Sequence, residues 1–228
     1  MIIFIPIKEN SQRVPRKNFR IFHGLPLYKH TLYKLKDYKV YVDTDSPQII
    51  DEIKSDSNLN HVTAYSRNLQ LIGDEISVCQ LIVNFIKKFN LQKQIICQTH
   101  VTSPFLKTDT LSYAYSKMSD YDSVVSCNSV QTRLWRKESY GMCPVNHNPS
   151  VLQQTQDLPK YYEENSLFYI FNSETMLYCG NRIGKNPYFF ETSFPENLDI
   201  DWEADWDLAK KVGQNEISLA ANTVDGNF

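Results

Sequence analysis

The chain opens on an unbroken apolar run, residues 1–7 (MIIFIPI), which gives way at once to a polar, basic stretch. A short isoleucine-rich run of this kind predicts a strand buried on both faces, as in a parallel sheet. Leu27, Thr31, Leu32 and Leu35 then recur at helical spacing, predicting a helix over 26–38. Residues 39–42 read as the next strand, 47–54 as a short helix and 61–65 as another strand. Val78, Leu81, Ile82, Phe85 and Phe89 trace one face of an amphipathic helix. Asp74 is the expected N-cap ahead of it, and Lys87 and Lys88 suit the dipole at its last turn. Strands over 94–98 and 123–127 follow, separated by the turn at Thr102-Ser103-Pro104 and a helix over 110–118.

From about 131 to 159 the periodicity fails. This stretch is polar, with several prolines and asparagines, and is too long for an ordinary connection in a compact domain. It reads either as a lid or as an arm that packs on another subunit. The pattern resumes with a strand over 167–171, a helix over 173–178, an extended segment over 194–201 and a helix over 203–212. Glu203 and Asp205 open that last helix, and Lys210 and Lys211 close it, matching its dipole at both ends. Strands alternating with helices predict an α/β fold with a mostly parallel sheet.

Composition narrows the class. The 228 residues are 42% hydrophobic and 13% aromatic, which excludes a disordered chain and suffices for one sizeable core. Lys and Arg number 24 against 26 Asp and Glu. A long nucleic-acid track or an anionic-membrane surface needs a basic excess, so neither partner is expected. No apolar run reaches the ~20 residues that cross a bilayer, and the apolar start lacks the basic flank and cleavage site of a signal peptide. The five cysteines are odd in number and none are in C-x-x-C spacing. That argues for reduced thiols in a cytoplasmic setting rather than a disulfide framework or a zinc knuckle.

Four constellations could carry chemistry. Lys8, Arg13, Arg16 and Lys17, interleaved with Asn10, Ser11 and Asn18, form a basic loop leaving the end of the first strand. Ligands of open α/β sheets bind beyond the carboxyl ends of strands, where cations and backbone N–H groups hold phosphate. The loop has neither a Walker A nor a G-x-G-x-x-G pattern; it is a phosphate site or simply a solvated basic loop. Asp199-Ile200-Asp201 places two carboxylates on one side of an extended segment. Such a pair suits Mg²⁺, or else the N-terminus of the helix that follows. Asp43-Thr44-Asp45 is a second Asp-x-Asp pair, of the kind a metal-dependent glycosyltransferase uses. The alternative is a strand-to-helix turn with Asp45 or Ser46 capping the helix begun by Pro47. His100, just ahead of Thr102-Ser103-Pro104, faces the same cleft as a structural, substrate-orienting or basic group.

Together these pieces resemble one family. The stretch Ile5-Pro6-Ile7-Lys8-Glu9-Asn10-Ser11-Gln12-Arg13-Val14-Pro15-Arg16-Lys17-Asn18 resembles the opening loop of the CMP-sugar synthetases, or acylneuraminate cytidylyltransferases, usually I-P-A-R-x-x-S-x-R-x-P-x-K-N. Asp43-Thr44-Asp45 is similar to that family's S-T-D, and Arg67 with Gly73-Asp74 to its R-P-x-x-L-A-x-D. Thr102-Ser103-Pro104-Phe105-Leu106, Asp122-Ser123-Val124-Val125-Ser126, Glu164-Asn165-Ser166 with Tyr169, and Asp199-Ile200-Asp201 follow in family order. Lys8 stands where the family usually has Arg, His100 where it has Gln and Ser166 where it has Gly.

The resemblance implies a Rossmann-like nucleotidyltransferase fold over 1–228, with about 131–165 as a protruding dimerisation or lid arm. It implies transfer of CMP from CTP to an eight- or nine-carbon α-keto acid sugar, with Mg²⁺ as cofactor and a homodimer as the assembly. Lys8, Asn10, Ser11, Arg13, Lys17, Asn18 and Arg67 would bind the nucleotide. His100, Thr102, Ser103, Glu164 and Asn165 would face the sugar, and Asp199 and Asp201 would hold the metal. Arg13, Lys17 and Asp201 would be the catalytic groups.

Overall fold

The computed structural model describes residues 1–224, with side chains through Gln214; residues 225–228 of the expected domain lie outside the described residues. The elements in chain order are β1 (Ile2–Ile7), β2 (Ile21–Phe22), β3 (Leu25–Pro26), α1 (Leu27–Lys34), β4 (Lys39–Thr44), α2 (Pro47–Ser55), β5 (Val62–Ser66) and α3 (Val78–Lys88). They continue with β6 (Ile95–Thr99), α4 (Thr108–Ser116), β7 (Ser123–Val130), β8 (Trp135–Glu138) and β9 (Gly141–Pro144). The chain then forms β10 (Tyr161–Asn172), α5 (Ser173–Cys179), β11 (Pro187–Glu191) and α6 (Glu203–Val224).

Seven strands make the central sheet, in the order β11-β7-β10-β6-β1-β4-β5. β1 pairs parallel with both β4 and β6, and β5 pairs parallel with β4. β10 runs antiparallel between β6 and β7, and β11 is parallel to β7. The opening apolar run explains the layers. Ile3, Ile5 and Ile7 point into a cluster with Tyr28, Leu32, Ile49, Ile53 and Leu111, on the side of α1, α2 and α4. Phe4 points the other way, onto Phe85 of α3, with ring centroids 4.7 Å apart. Each such fully buried aliphatic or aromatic side chain contributes roughly 1.5–3 kcal/mol.

A third, smaller cluster matters more for function. Phe22, Leu27, Phe105, Ile200, Trp206 and Ala209 pack together, pinning the start of α6 onto the β2–β3 ribbon. Gly213 allows the same close approach one turn further on. A Cβ there would stand 2.3 Å from Nε2 of His23. An exposed helical Gly→Ala change normally stabilises. Here Gly213→Ala should instead cost about 1–3 kcal/mol, the usual penalty for overpacking, read as a lowered midpoint in urea unfolding.

Several expectations are corrected. Asp74 does not cap α3; Ser77 does, forming a reciprocal capping box with Gln80. The Ser-x-x-Gln spacing satisfies the first N–H groups directly, and Asp74 lies outside the helix. The stretch 131–159 is not wholly irregular: β8 and β9 form an antiparallel hairpin. Its strands are too short and polar to leave an alternating signature. β10 starts at Tyr161, well ahead of Leu167, because Glu163 and Glu164 interrupt the apolar pattern. β11 was not anticipated, and α6 runs past Val212 to Val224. The segment 194–201 begins with a turn, closed by Asn197 N–H donating to the Ser193 carbonyl, before it extends.

Candidate active site

The loop after β1 and the segment before α6 meet at one carboxylate. Arg16 takes a left-handed conformation, φ 50°, and a single 3-10 turn over Lys17–Phe19 follows. That turn sends Lys17 inward, where only 8% of its surface stays exposed. Its Nζ donates to the Ile200 carbonyl and lies 3.3 Å from Asp201 Oδ1. Arg13 Nη2 donates to the same oxygen at 2.8 Å, and its guanidinium lies 5.3 Å from the Trp202 ring centre. Two cations therefore converge on Asp201. Asp205 Oδ2 accepts from the backbone N–H groups of Asp201 and Trp202, at 3.0 and 2.7 Å, fixing where α6 begins.

The rest of the loop lines a cleft of about 210 Å³ with Lys8, Asn10, Ser11, Arg13 and Lys17 on its walls. Asp74 closes it, accepting from Lys8 Nζ at 3.1 Å and Gln12 Nε2 at 2.6 Å. Asn18 stands behind the cleft, its Nδ2 donating to the Lys8 carbonyl at 2.8 Å. A larger hollow of about 420 Å³ lies elsewhere, against α3 and Asn68–Leu71, but gathers only one charged side chain, Lys87. The chemistry is concentrated in the smaller cleft.

Arg67 lies beneath the loop. It is buried to 3% exposure and bonded through Nε to Asp43 Oδ1, itself fully buried. Its Nη2 also donates to the Asp43 carbonyl at 3.1 Å and the Ile7 carbonyl at 3.4 Å. Arg67 thus clamps the ends of β1 and β4 beneath the loop. The Asp43/Asp45 pair is correspondingly split, with Asp45 Oδ1 accepting Glu9 N–H at 2.7 Å. Ser46 is the N-cap of α2, yet neither it nor Asp45 caps the helix through its side chain.

Next to Asp201 in the chain, Ile200 N–H donates to the Thr102 carbonyl at 2.9 Å, and the Ser103 hydroxyl donates to Asp199 Oδ1 at 3.4 Å. His100 lies close enough to both Asp199 and Asp201 to feel their charge. Burial holds its pKa well below the ordinary value, and Asp199 opposes that shift. Among the described residues no three metal-ligating side chains cluster. Asp199 and Asp201 nonetheless fit Mg²⁺, which takes one or two carboxylates and completes its shell with water and substrate phosphates.

Glu164 and Asn165 sit at an irregularity in β10, where the register to β7 shifts. Glu164 Oε2 accepts the Tyr169 hydroxyl at 2.8 Å. Asn165 Nδ2 lies 2.9 Å from Asn128 Oδ1 and 2.7 Å from Thr192 Oγ1. Ser166 adopts φ 59°, the left-handed conformation that glycine takes most easily. The Ser-for-Gly difference therefore keeps the backbone shape. Sequence reasoning missed Asp74 as a partner of the basic loop, and missed Gln98 and Arg182 altogether. Arg182 lies 3.5 Å over the Tyr169 ring and donates to Gln98 Oε1. No spacing rule marks it.

The sequence profile of the cytidylyltransferases matches residues 2–224. The chain belongs to this cytidylyltransferase family and is a nucleotidyltransferase. It is 27% identical over 232 aligned positions to a CMP-N,N'-diacetyllegionaminic acid synthase of Legionella pneumophila, covering 93% of this chain and 95% of that one. A pseudaminic acid cytidylyltransferase of Campylobacter jejuni is 26% identical, over 92% of this chain and 94% of its own. The fold superposes with TM-score 0.66 on a CMP:2-keto-3-deoxy-manno-octonic acid synthetase complexed with CTP, 14% identical, covering 94% of this chain and 98% of that structure. Among the described residues no helix is long and apolar enough to cross a membrane.

Proposed function

We propose that this cytidylyltransferase joins CTP to an eight- or nine-carbon α-keto acid sugar, giving the CMP-sugar and pyrophosphate. The observation that carries the reading is the convergence of Arg13 and Lys17 on Asp201, beside Asp199, beyond the end of β1. The names of the Legionella and Campylobacter relatives support an acid sugar as acceptor, and the CTP complex of the structural neighbour supports the nucleotide.

In this mechanism the anomeric hydroxyl oxygen attacks the α-phosphorus, the bond to the β-phosphate oxygen breaks, and pyrophosphate leaves. Mg²⁺, held by Asp199 and Asp201, would polarise the α-phosphate and acidify the hydroxyl. Arg13 and Lys17 neutralise charge that builds on the leaving pyrophosphate, so positioning and electrostatics carry most of the rate. Lys8, Asn10 and Ser11 hold the phosphates and ribose from the loop. Thr102, Ser103 and the Glu164–Asn165 bulge face the sugar. No side chain is assigned as base.

We include a homodimer built through an arm over 131–165, where Trp135, Tyr140, Met142, Val151 and Leu152 stay exposed. The glycosyltransferase alternative loses its metal pair, because Asp43 is committed to Arg67. Pyrophosphate release should require CTP, Mg²⁺ and one sugar from a panel of eight- and nine-carbon keto acids. Silence across the panel with CTP still bound would instead favour a non-catalytic nucleotide binder.

A further inference from the structure

A chain of fixed hydrogen bonds leads from Arg182 through Gln98 to His100. Arg182 Nη1 donates to Gln98 Oε1, and Gln98 Nε2 lies 2.8 Å from His100 Nε2. The polarity of this chain follows from what each group can do. Arginine only donates, so the Gln98 oxygen must face it. The amide nitrogen therefore faces His100, and an amide nitrogen also only donates. His100 Nε2 must then be the acceptor. The ring is a neutral imidazole with its proton on Nδ1. Gln98 is fully buried in β6, and its Nε2 also lies 3.4 Å from the Thr99 carbonyl, so the amide has acceptors on its nitrogen side alone. Arg182 is itself held in place by the Tyr169 ring beneath it, and Glu164 holds that ring by its hydroxyl.

We infer that Arg182 and Gln98 are positioning residues that fix His100 as the Nδ1–H tautomer, so that it donates to the carboxylate of the acid sugar. This rests on the function proposed above. The carboxylate is the acceptor chosen because His100 immediately precedes the segment whose Thr102 carbonyl and Ser103 hydroxyl bond Ile200 and Asp199, beside the acids assigned to the reacting centre. An α-keto acid sugar carries its carboxylate on the reacting carbon. The arrangement makes the imidazole a donor to substrate without making it a charged group. It also extends the sugar site by two residues, Gln98 and Arg182, that reach substrate only through His100.

Nitrogen-15 NMR of histidine-labelled protein reads the tautomer without turnover, with the His100→Gln spectrum assigning the signals among the five histidines. Wild-type protein should show protonated Nδ1 and bare Nε2. Gln98→Glu keeps the shape and the Arg182 contact but offers His100 an acceptor, so Nε2 should gain a proton. A wild-type His100 protonated on Nε2, or an Nε2 that stays bare in Gln98→Glu, overturns the relay. In turnover, Arg182→Met should raise KM for the sugar about tenfold and leave KM for CTP within about twofold. An equal rise in both would make Arg182 merely structural. Failure of every sugar to react would sink the proposed function while the tautomer result stood on its own.

Discussion

Asp201→Asn should lower kcat by a hundredfold to a thousandfold, on the order of 3–4 kcal/mol of transition-state stabilisation, the usual cost of removing one electrostatic group from a reacting centre. The substitution keeps volume and shape. It also spares the start of α6, because Asp205 holds Asp201 through its backbone N–H and not its carboxylate. The melting temperature should therefore stay within a few degrees of wild type. What changes is charge: Arg13 and Lys17 lose the anion they share. CTP without any divalent cation should consequently bind the variant at least as tightly as wild type, because its phosphates no longer compete with Asp201 for those two cations. Pyrophosphate release and calorimetric CTP titration check the two halves separately. Full activity in this variant would remove the acid, and any metal on it, from the reaction.

Arg67→Met should be the most damaging single change to stability. Asp43 would be left as a buried, unpaired carboxylate, which typically costs about 3–5 kcal/mol. For a chain of this length each kcal/mol lowers the midpoint by about 2–4 °C, so a fall of roughly 6–20 °C is expected. The Arg67 contacts to the Ile7 and Asp43 carbonyls add to the loss, since they tie the end of β1 to β4. Adding Asp43→Leu should recover much of the deficit, because an apolar pair of similar volume often replaces a buried ion pair at little cost. Thermal melts of the two single variants and the double variant close the cycle. A double variant less stable than Arg67→Met would show that Asp43 matters for something other than its partner.

The parallel heart of the sheet was legible because its strands are buried on both faces and so read as continuous apolar runs. The basic loop and the Asp199/Asp201 pair were legible for a different reason: cations and paired acids are costly to gather without a purpose. Asp74 shows the limit of local rules. An acid ahead of an amphipathic helix looks like a cap, but Ser77 and Gln80 satisfy those N–H groups from closer range. The same limit hid the burial of Arg67, which is set by Asp43, 24 positions away in the chain. Arg182 and Gln98 meet only through pairing of β10 with β6 and the loop after α5, a contact between segments 84 residues apart that no pattern along the chain encodes. The β8–β9 hairpin and β11 were hidden because short, half-exposed strands carry too few apolar positions to show a period.

The position of β10 has a consequence for how the protein is made. It lies between β6 and β7, yet it is synthesised after both. Until residues 161–172 have left the ribosome, β6 and β7 each present an open edge of unpaired N–H and C=O groups. Such edges invite pairing with a second nascent chain. Insertion of β10 closes the facing edges of β6 and β7 in one event and joins the parallel block to β7, whose outer edge β11 covers later. The nascent chain therefore passes its most aggregation-sensitive interval between the synthesis of β7 and that of β10, which is the interval in which a chaperone would bind it.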